Sequence, residues 1–508
     1  MKFKPLYTIA LAVLMAATGC NKSFLDINTN PNSLPSATPA FVLTNAMNTS
    51  ANNMVGSNET GYFWSGQWTQ SSSYILSPAI FSYLFTNTDF NYWDGFYDNL
   101  EDYEYVINNA DALNQKYFKG PAKVMKAYIF QALVDMYGSL PYSDALKGVG
   151  SLAPKFDDQK AVYEALITSL DGAIVDLKAN AFASAYAGAD IIFGGNTTKW
   201  IRFANSLKLR ILMHQSRITG RDAYITTEIN KIVAEGSGFI TGEEVGSGGP
   251  GLYLATAGKT NPIYDRWGYD ANGGVRSFGR FPRPTKFLFD VLIASNDTFR
   301  LKRIAYAKGG EKGSTPGIST AVENISNYVG VPFGVASGFT APASSYIGPS
   351  LIVKGEFNRK VILMTATEIQ FALAEAKQRF PAVTLPGTAQ SYYEEGVRQS
   401  FRVLGVANAT ARANDLTTSG IADADFTAST DKLRAIAIQK WLALCNFSGL
   451  EAWTEYRKSN LPVTPQAATV SSTDRPLRFF YPNTESGSNS NTPSGIDVFK
   501  TRLFWDVD

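Results

Sequence analysis

Apolar side chains recur at three- and four-residue spacing in two blocks of this 508-residue chain, and the long stretch between the blocks lacks the pattern. In "DQKAVYEALITSLDGAIVDL" the residues Tyr163, Leu166, Ile167, Leu170, Ile174 and Leu177 fall on one face of a helix. "GPAKVMKAYIFQALVDMYG" does the same with Met125, Tyr128, Ile129, Leu133 and Met136. "TKWIRFANSLKLRILM" follows with Trp200, Phe203, Leu207 and Ile211. The second block comprises "TATEIQFALAEAKQRF", "AQSYYEEGVRQSFRVLG" and "DKLRAIAIQKWLALCNF". A helix with one apolar face must bury it against a neighbour, so segments of this kind pair as helical hairpins. The pairs are of the tetratricopeptide type, although no strict repeat consensus is visible. The expected fold is mostly α, with tetratricopeptide-like helix pairs as a scaffold over about 90–236 and 360–460, and an irregular loop-rich half.

From about 237 to 360 the texture changes to Gly, Pro, Ser and aromatic residues, as in "GSGGPGLYLATAGKTNPIYDRWGYDANGGVRSFGRFPRP" and "NYVGVPFGVASGFTAPASSYIGPS". Long loops without a repeat of their own are functional or disordered, and so many rings argue against disorder. "GSGGPG" is not a phosphate loop, since no strand precedes it, no Lys-Ser/Thr ends it and no helix follows. The segment beginning "RPLRFFYPNTESGSNSNTPSG" is a second loop-rich section.

Composition then removes whole classes of chemistry. Charged residues make up only 18% and aromatics 13%, a balance that suits stacking and hydrogen bonding with neutral polar ligands. Net charge is +2 with no basic run, so there is no electrostatic footprint for nucleic acid. One histidine and two cysteines cannot assemble a Cys/His zinc site. Triad catalysis would have to run through His214, which sits in the helical "LKLRILMHQSRI" and reads as a satisfied structural imidazole. No catalytic residue, metal ligand or cofactor is therefore expected.

The N-terminus has a positive start at Lys2 and Lys4, a short apolar run from Leu6 to Ala17, and small residues leading to Cys20. The run is too short to span a bilayer comfortably and reads as a secretory signal over 1–19. Small residues before a cysteine are what a lipoprotein signal peptidase reads, so Cys20 is expected to carry diacylglycerol. Ala17 stands three places before it, where leucine is usual; the alternative is a secreted protein with an incidental cysteine. Residues 20–40, with "NTNPNSLPSATP", form the expected tether, and 41–508 a single domain. Lipidation of Cys20 leaves Cys445 without a partner, as an inert buried thiol and no disulfide.

Several stretches together resemble the SusD/RagB-like outer-membrane nutrient-binding lipoproteins: "CNKSFLDINTNPN", "KAYIFQALVDMYGSLPYSDAL", "KWIRFANSLKLRILM", "TEIQFALAEA", "GLEAWTEYRKSNLP" and the terminal "RLFWDVD". Each is weak alone; their order, from about residue 14 to the end, is specific. Ser139 stands where the family more often has Asp. The resemblance implies four tetratricopeptide-like helix pairs supporting an irregular binding half. It also implies binding of an oligosaccharide or peptide without cleavage, and delivery to a SusC-like TonB-dependent transporter on which the protein sits like a lid. The competing expectations are a secreted helical glycosidase or polysaccharide lyase, for which two carboxylates suffice, and a purely structural surface lipoprotein.

Sugar rings dock on aromatic faces beside amides and carboxylates, so the candidate ligand-binding residues are rings in such company. The first stretch gives Trp64, Gln67, Trp68 and Tyr74; the second, favoured stretch gives Tyr264, Asp265, Trp267, Tyr269, Asp270, Asn272 and Arg276; Tyr346 is a third place. Trp93 and Tyr97 of "WDGFYDNL" read as scaffold.

Overall fold

The computed structural model describes residues 37–248, 251–308, 323–470 and 474–507. The signal segment, Cys20 and nearly all of the expected tether lie outside the described residues. The helices that carry the architecture are α1 (Pro39–Trp64), α2 (Trp93–Asn109), α3 (Lys119–Tyr137), α4 (Gln159–Ala179), α5 (Thr197–His214) and α6 (Asp222–Glu235). They continue with α7 (Pro262–Trp267), α8 (Lys286–Ala294), α9 (Thr298–Ile304), α10 (Ala366–Arg379), α11 (Ala389–Val403), α12 (Ala409–Thr417), α13 (Lys432–Leu444) and α14 (Gly449–Ser459).

All six periodic stretches are helices, and local chemistry sets their ends. Asp158 accepts from the amides of Lys160 and Ala161 to start α4, and Asn196 accepts from Lys199 to start α5. Thr388 and Ser391 form a reciprocal capping box on α11. Gly138, at φ +79°, ends α3 in a conformation that side chains rarely adopt. Helices pack in sequence as α2/α3, α4/α5, α10/α11 and α13/α14, and α3 on α4, α5 on α10 and α10 on α13 join the pairs. This is the tetratricopeptide-like scaffold.

Helix α1 precedes the expected scaffold and bridges its ends, packing on α2 and on α14. Its sequence, "PAFVLTNAMNTSANNMVGSNETGYFW", is rich in Asn, Ser, Thr and Gly, which are weak helix formers. Burial over nearly its whole last three turns compensates. Gly61 permits backbone contact with Gly449, the first residue of α14. The Asn58 side chain accepts from the Leu450 amide at 3.0 Å and so caps α14 from across the contact.

Among the described residues the loop-rich half is stitched by three two-stranded antiparallel ladders: β1 (Trp68–Gln70) with β3 (Pro282–Pro284), β2 (Val245–Ser247) with β6 (Val361–Met364), and β4 (Ala305–Tyr306) with β5 (Tyr346–Ile347). The first ladder sets Trp68 opposite Pro284 and carries the residues after α1 to the 270–284 loop.

The single histidine lies in a buried ion network where the pairs meet. Arg210 of α5 holds Glu368 of α10 through Nε at 2.6 Å and Nη2 at 2.8 Å. His214 faces Glu451 of α14 at 3.0 Å and Asp135 of α3 at 3.5 Å. Lys440 holds Glu455 at 2.6 Å, and Lys458 joins Glu455 to Glu375, each at 2.8 Å. Trp505 of the C-terminal segment donates to Asp135 at 3.0 Å. Burial alone pushes the imidazole down, and the Glu451 and Asp135 carboxylates more than reverse this, to about 9 from an ordinary 6.5. The folded protein thus holds a proton that the unfolded chain releases between pH 6.5 and 9. The stabilisation is complete below pH 6.5 and is lost as pH rises through 9, on the order of 3 kcal/mol in all. Denaturant melts at pH 6.5 and pH 9.5 test this. The wild type is expected to lose stability across the window and His214→Gln to show a flatter profile; equal slopes would disprove the assignment.

His214, Glu451 and Glu455 also bring donor atoms within 4.8 Å of one another, a spacing a metal ion could use. Their negative charge is already matched, because the Lys440 ammonium lies 3.6 Å from Glu451 and 2.6 Å from Glu455. Cys445 sits at the C-cap of α13, fully buried, and burial pushes its thiol up.

Candidate functional site

Helix α7 divides the favoured stretch into two faces. Asn261 caps it, accepting from the amides of Ile263 at 2.7 Å and Tyr264 at 3.1 Å. Tyr264 and Trp267, three residues apart, turn inward, while Asp265 and Arg266 turn toward an open groove of about 620 Å³. Asn52, Asn53 and Gly56 of α1 form the opposite wall, and Arg276, Ser277 and Phe278 complete it.

The groove presents one exposed ring and a set of polar ends. Phe278 is 50% exposed, with the Arg266 guanidinium 4.9 Å from its ring centre. Arg266 is fixed from behind by Glu59 of α1, which accepts from its Nε at 2.9 Å. Asp265 pairs with Arg276 across the rim. Asp270 accepts from the amides of Asn272 at 2.8 Å and Gly274 at 2.9 Å, which shapes the turn carrying Arg276 and Phe278. Those amides, Gly274 foremost, hold its carboxyl below the usual range. Asn272 is exposed at the tip of the turn. Tyr74 reaches the same loop, donating to the Ser277 carbonyl at 3.3 Å.

Other residues expected at the site are buried, and the expectation of exposed stacking rings is corrected for them; Tyr264 and Trp267 instead line a second cavity on the inward side of α7. Trp64 ends α1 among Phe85, Phe90, Trp453 and Phe479. Gln67 is buried and donates to the Trp441 carbonyl at 2.7 Å. Trp68 stacks on Tyr62 with ring centres 4.2 Å apart, and its Nε1 donates to Asn446 at 3.0 Å. Trp267 is 1% exposed, edge-on to Trp68, and donates to Glu59 at 3.1 Å. Tyr264 accepts from the Gly355 amide at 3.1 Å, and Tyr269 lies beside it, likewise buried. For Trp64, Trp68 and Trp267 the physical reason is common: a large ring with one N–H is satisfied inside when a carbonyl or carboxylate oxygen lies within reach, here those of Ile80, Asn446 and Glu59. Tyr346 is half-buried in β5, with the buried Arg283 guanidinium 4.0 Å from its ring centre. Trp93 is buried and Tyr97 half-buried, its hydroxyl bonded to the Pro141 carbonyl at 2.7 Å.

The groove residues that sequence reasoning missed are Phe278, Arg266, Asn52 and Asn53. Phe278 follows Arg276 by two places, so a search for Phe as well as Trp and Tyr finds it. Asn52 and Asn53 lie on a helix more than two hundred residues away in sequence and carry no local signal.

A sequence model of the SusD-like family, described as "Starch-binding associating with outer membrane", matches residues 31–482. No curated protein sequence matches the chain. Among solved structures, a SusD homolog from Bacteroides uniformis is similar over 92% of this chain and 100% of its own, at 23% identity and a TM-score of 0.71. A SusD/RagB family protein from Bacteroides thetaiotaomicron matches over 93% and 99%, at 19% identity and a TM-score of 0.72. A chitin-binding SusD homolog from Flavobacterium johnsoniae matches over 92% and 98%, at 21% identity and a TM-score of 0.67. With four stacked helix pairs, a loop-rich half above them and a family match across most of its length, the chain belongs to the SusD-like family.

Proposed function

We propose that the protein binds an oligosaccharide at the cell surface without cleaving it and delivers it to a TonB-dependent outer-membrane transporter. The observation that carries this reading is the groove beside α7, where the exposed Phe278 ring stands among Asn52, Asn53, Arg266 and Asp265. A ring face for a sugar and side-chain amides and charges for its hydroxyls are what neutral glycans require. Asp265 is the one carboxylate among the described groove-lining residues, and Arg276 already engages it. Glycoside hydrolysis needs two carboxyl groups flanking one bond. A chitin-binding relative shares the fold, and the family description names starch.

Isothermal titration with chitin- and starch-derived oligosaccharides tests the reading. Phe278→Ala is expected to cost about 2 kcal/mol, roughly thirty-fold in affinity, with an unchanged melting temperature. Unaltered affinity in that variant would remove the groove from consideration.

Anchoring through Cys20 and docking on a transporter complete the proposal. Among the described residues no helix is long and apolar enough to cross a membrane. A lipid anchor at Cys20, about twenty residues before α1, would keep the binding face within reach of a transporter mouth, and capture there gains from high effective concentration. Extraction in mild detergent of the tagged protein should recover the transporter with it. Recovery of the tagged protein alone, from cells that express the transporter, would sink the lid arrangement.

A further inference from the structure

A second cavity, of about 260 Å³, is reached from the inward face of α7. Tyr62, Trp267 and Phe447 give it apolar walls, and Arg303, Arg359 and Lys360 bring three cations to it. Glu356 is the one carboxylate among the described lining residues, and Arg359 engages it. Arg359 also donates through Nη1 to the carbonyls of Pro349 at 2.8 Å and Ser350 at 3.1 Å, so its charge and its donors are matched.

Arg303 is in a different position. Its Nε donates to the Leu404 carbonyl at 2.7 Å, which fixes the plane of the guanidinium. Among the described residues no carboxylate lies within ion-pair distance of it, and its Nη1 and Nη2 find no acceptor. Burial and the neighbouring Arg359 charge both push it down. Gly405 stands beside Nη2: a Cβ there would lie 3.0 Å from that nitrogen, and the backbone, at φ +72°, is one that side chains rarely adopt. A half-buried cation set against a second cation, with two free donors at a cavity, is short of counter-charge, since Glu356, the carboxylate that acts on it from beyond ion-pair distance, is already held by Arg359. The planar fork of a guanidinium matches the two oxygens of a carboxylate. The volume is just below the roughly 300 Å³ at which drug-sized pockets begin, which suits one small molecule rather than a chain.

We propose that this cavity binds the carboxylate of a single acidic sugar, a hexuronate, with Arg303 as its direct ligand. The carboxylate assignment rests on the cavity alone; that a sugar carries it rests on the proposed function. Among the described lining residues the site shares only Val55 with the groove, so the two respond to different substitutions.

Titration of the full chain with galacturonate, galactose and succinate tests it. Galacturonate is expected to bind at least about tenfold more tightly than galactose, to weaken with added salt, and to lose at least about tenfold in Arg303→Gln. Phe278→Ala should leave galacturonate binding unchanged. Equal affinities for galactose and galacturonate, or an Arg303→Gln variant that binds galacturonate as the wild type does, would overturn the proposal. Succinate binding as tight as galacturonate binding, and lost in Arg303→Gln, would retain the carboxylate site and overturn the sugar assignment. The comparison of galacturonate with galactose uses the wild type, so it stands even where Arg303→Gln fails to fold.

Discussion

Replacing Arg210 with methionine is expected to destabilise the fold by about 3–5 kcal/mol, the cost of stranding buried carboxylates whose partner has gone. Arg210 and Glu368 are 4% and 1% exposed, and Glu451 lies a further 3.5 Å from Nε. Methionine fills much of the arginine volume, so the loss reports charge rather than a void. Burial already pushes the Glu368 carboxyl up from 4.5, and removing Arg210 raises it further. A carboxyl whose folded value is raised opposes folding above the unfolded value, so the loss should shrink as pH falls toward 4.5. Denaturant unfolding at pH 7 and pH 4.5 gives both numbers. A loss under about 1 kcal/mol at pH 7 would mean that the remaining cations, His214 and Lys440, neutralise the cluster unaided.

Gly61→Ala is expected to cost about 3 kcal/mol or more, because α1 and α14 meet there backbone to backbone. A Cβ on Gly61 would overlap the carbonyl group of Gly449, and one on Gly449 would overlap the Asn58 carbonyl oxygen. Neither obstacle is the end of a flexible side chain, so the helices must move apart. That movement would also pull Asn58 from the Leu450 amide that it caps. Gly172→Ala is the internal control: the site is in α4, with nothing within 4 Å of the added carbon. There the same substitution should stabilise by about 0.5–1 kcal/mol. A thermal melt of Gly61→Ala matching the wild type would show that the contact between α1 and α14 has slack.

Much of the scaffold was legible because a helix that buries one face writes its period into the sequence. The stretches around Tyr163, Met125 and Trp200 carry that period, and each is a helix. Helix α1 was not legible, because it is buried nearly all round over its last turns and its buried set includes Ser57, Asn58, Glu59 and Thr60. A helix enclosed on every side has no polar face to contrast with an apolar one. The groove was half legible: Asp265 and Arg276 line it and Asp270 shapes the turn that carries Arg276, whereas Phe278, Arg266 and the two asparagines of α1 were missed.

The sequence by itself determined the helical segments of the two blocks, local caps such as Asp158 on α4 and Asn196 on α5, and the place of the loop-rich half, since these depend on residues within one or two turns of each other. It also marked His214 as a structural imidazole, through its setting in a helix. Tertiary structure alone decided which rings of the loops are inside. Trp68 is buried because Asn446, 378 positions on, accepts from its indole, and Trp267 because Glu59, 208 positions back, does the same. A tryptophan in a polar, glycine-rich loop reads the same in either setting. Only the packing of distant segments supplies, or withholds, the acceptor that lets its N–H leave water.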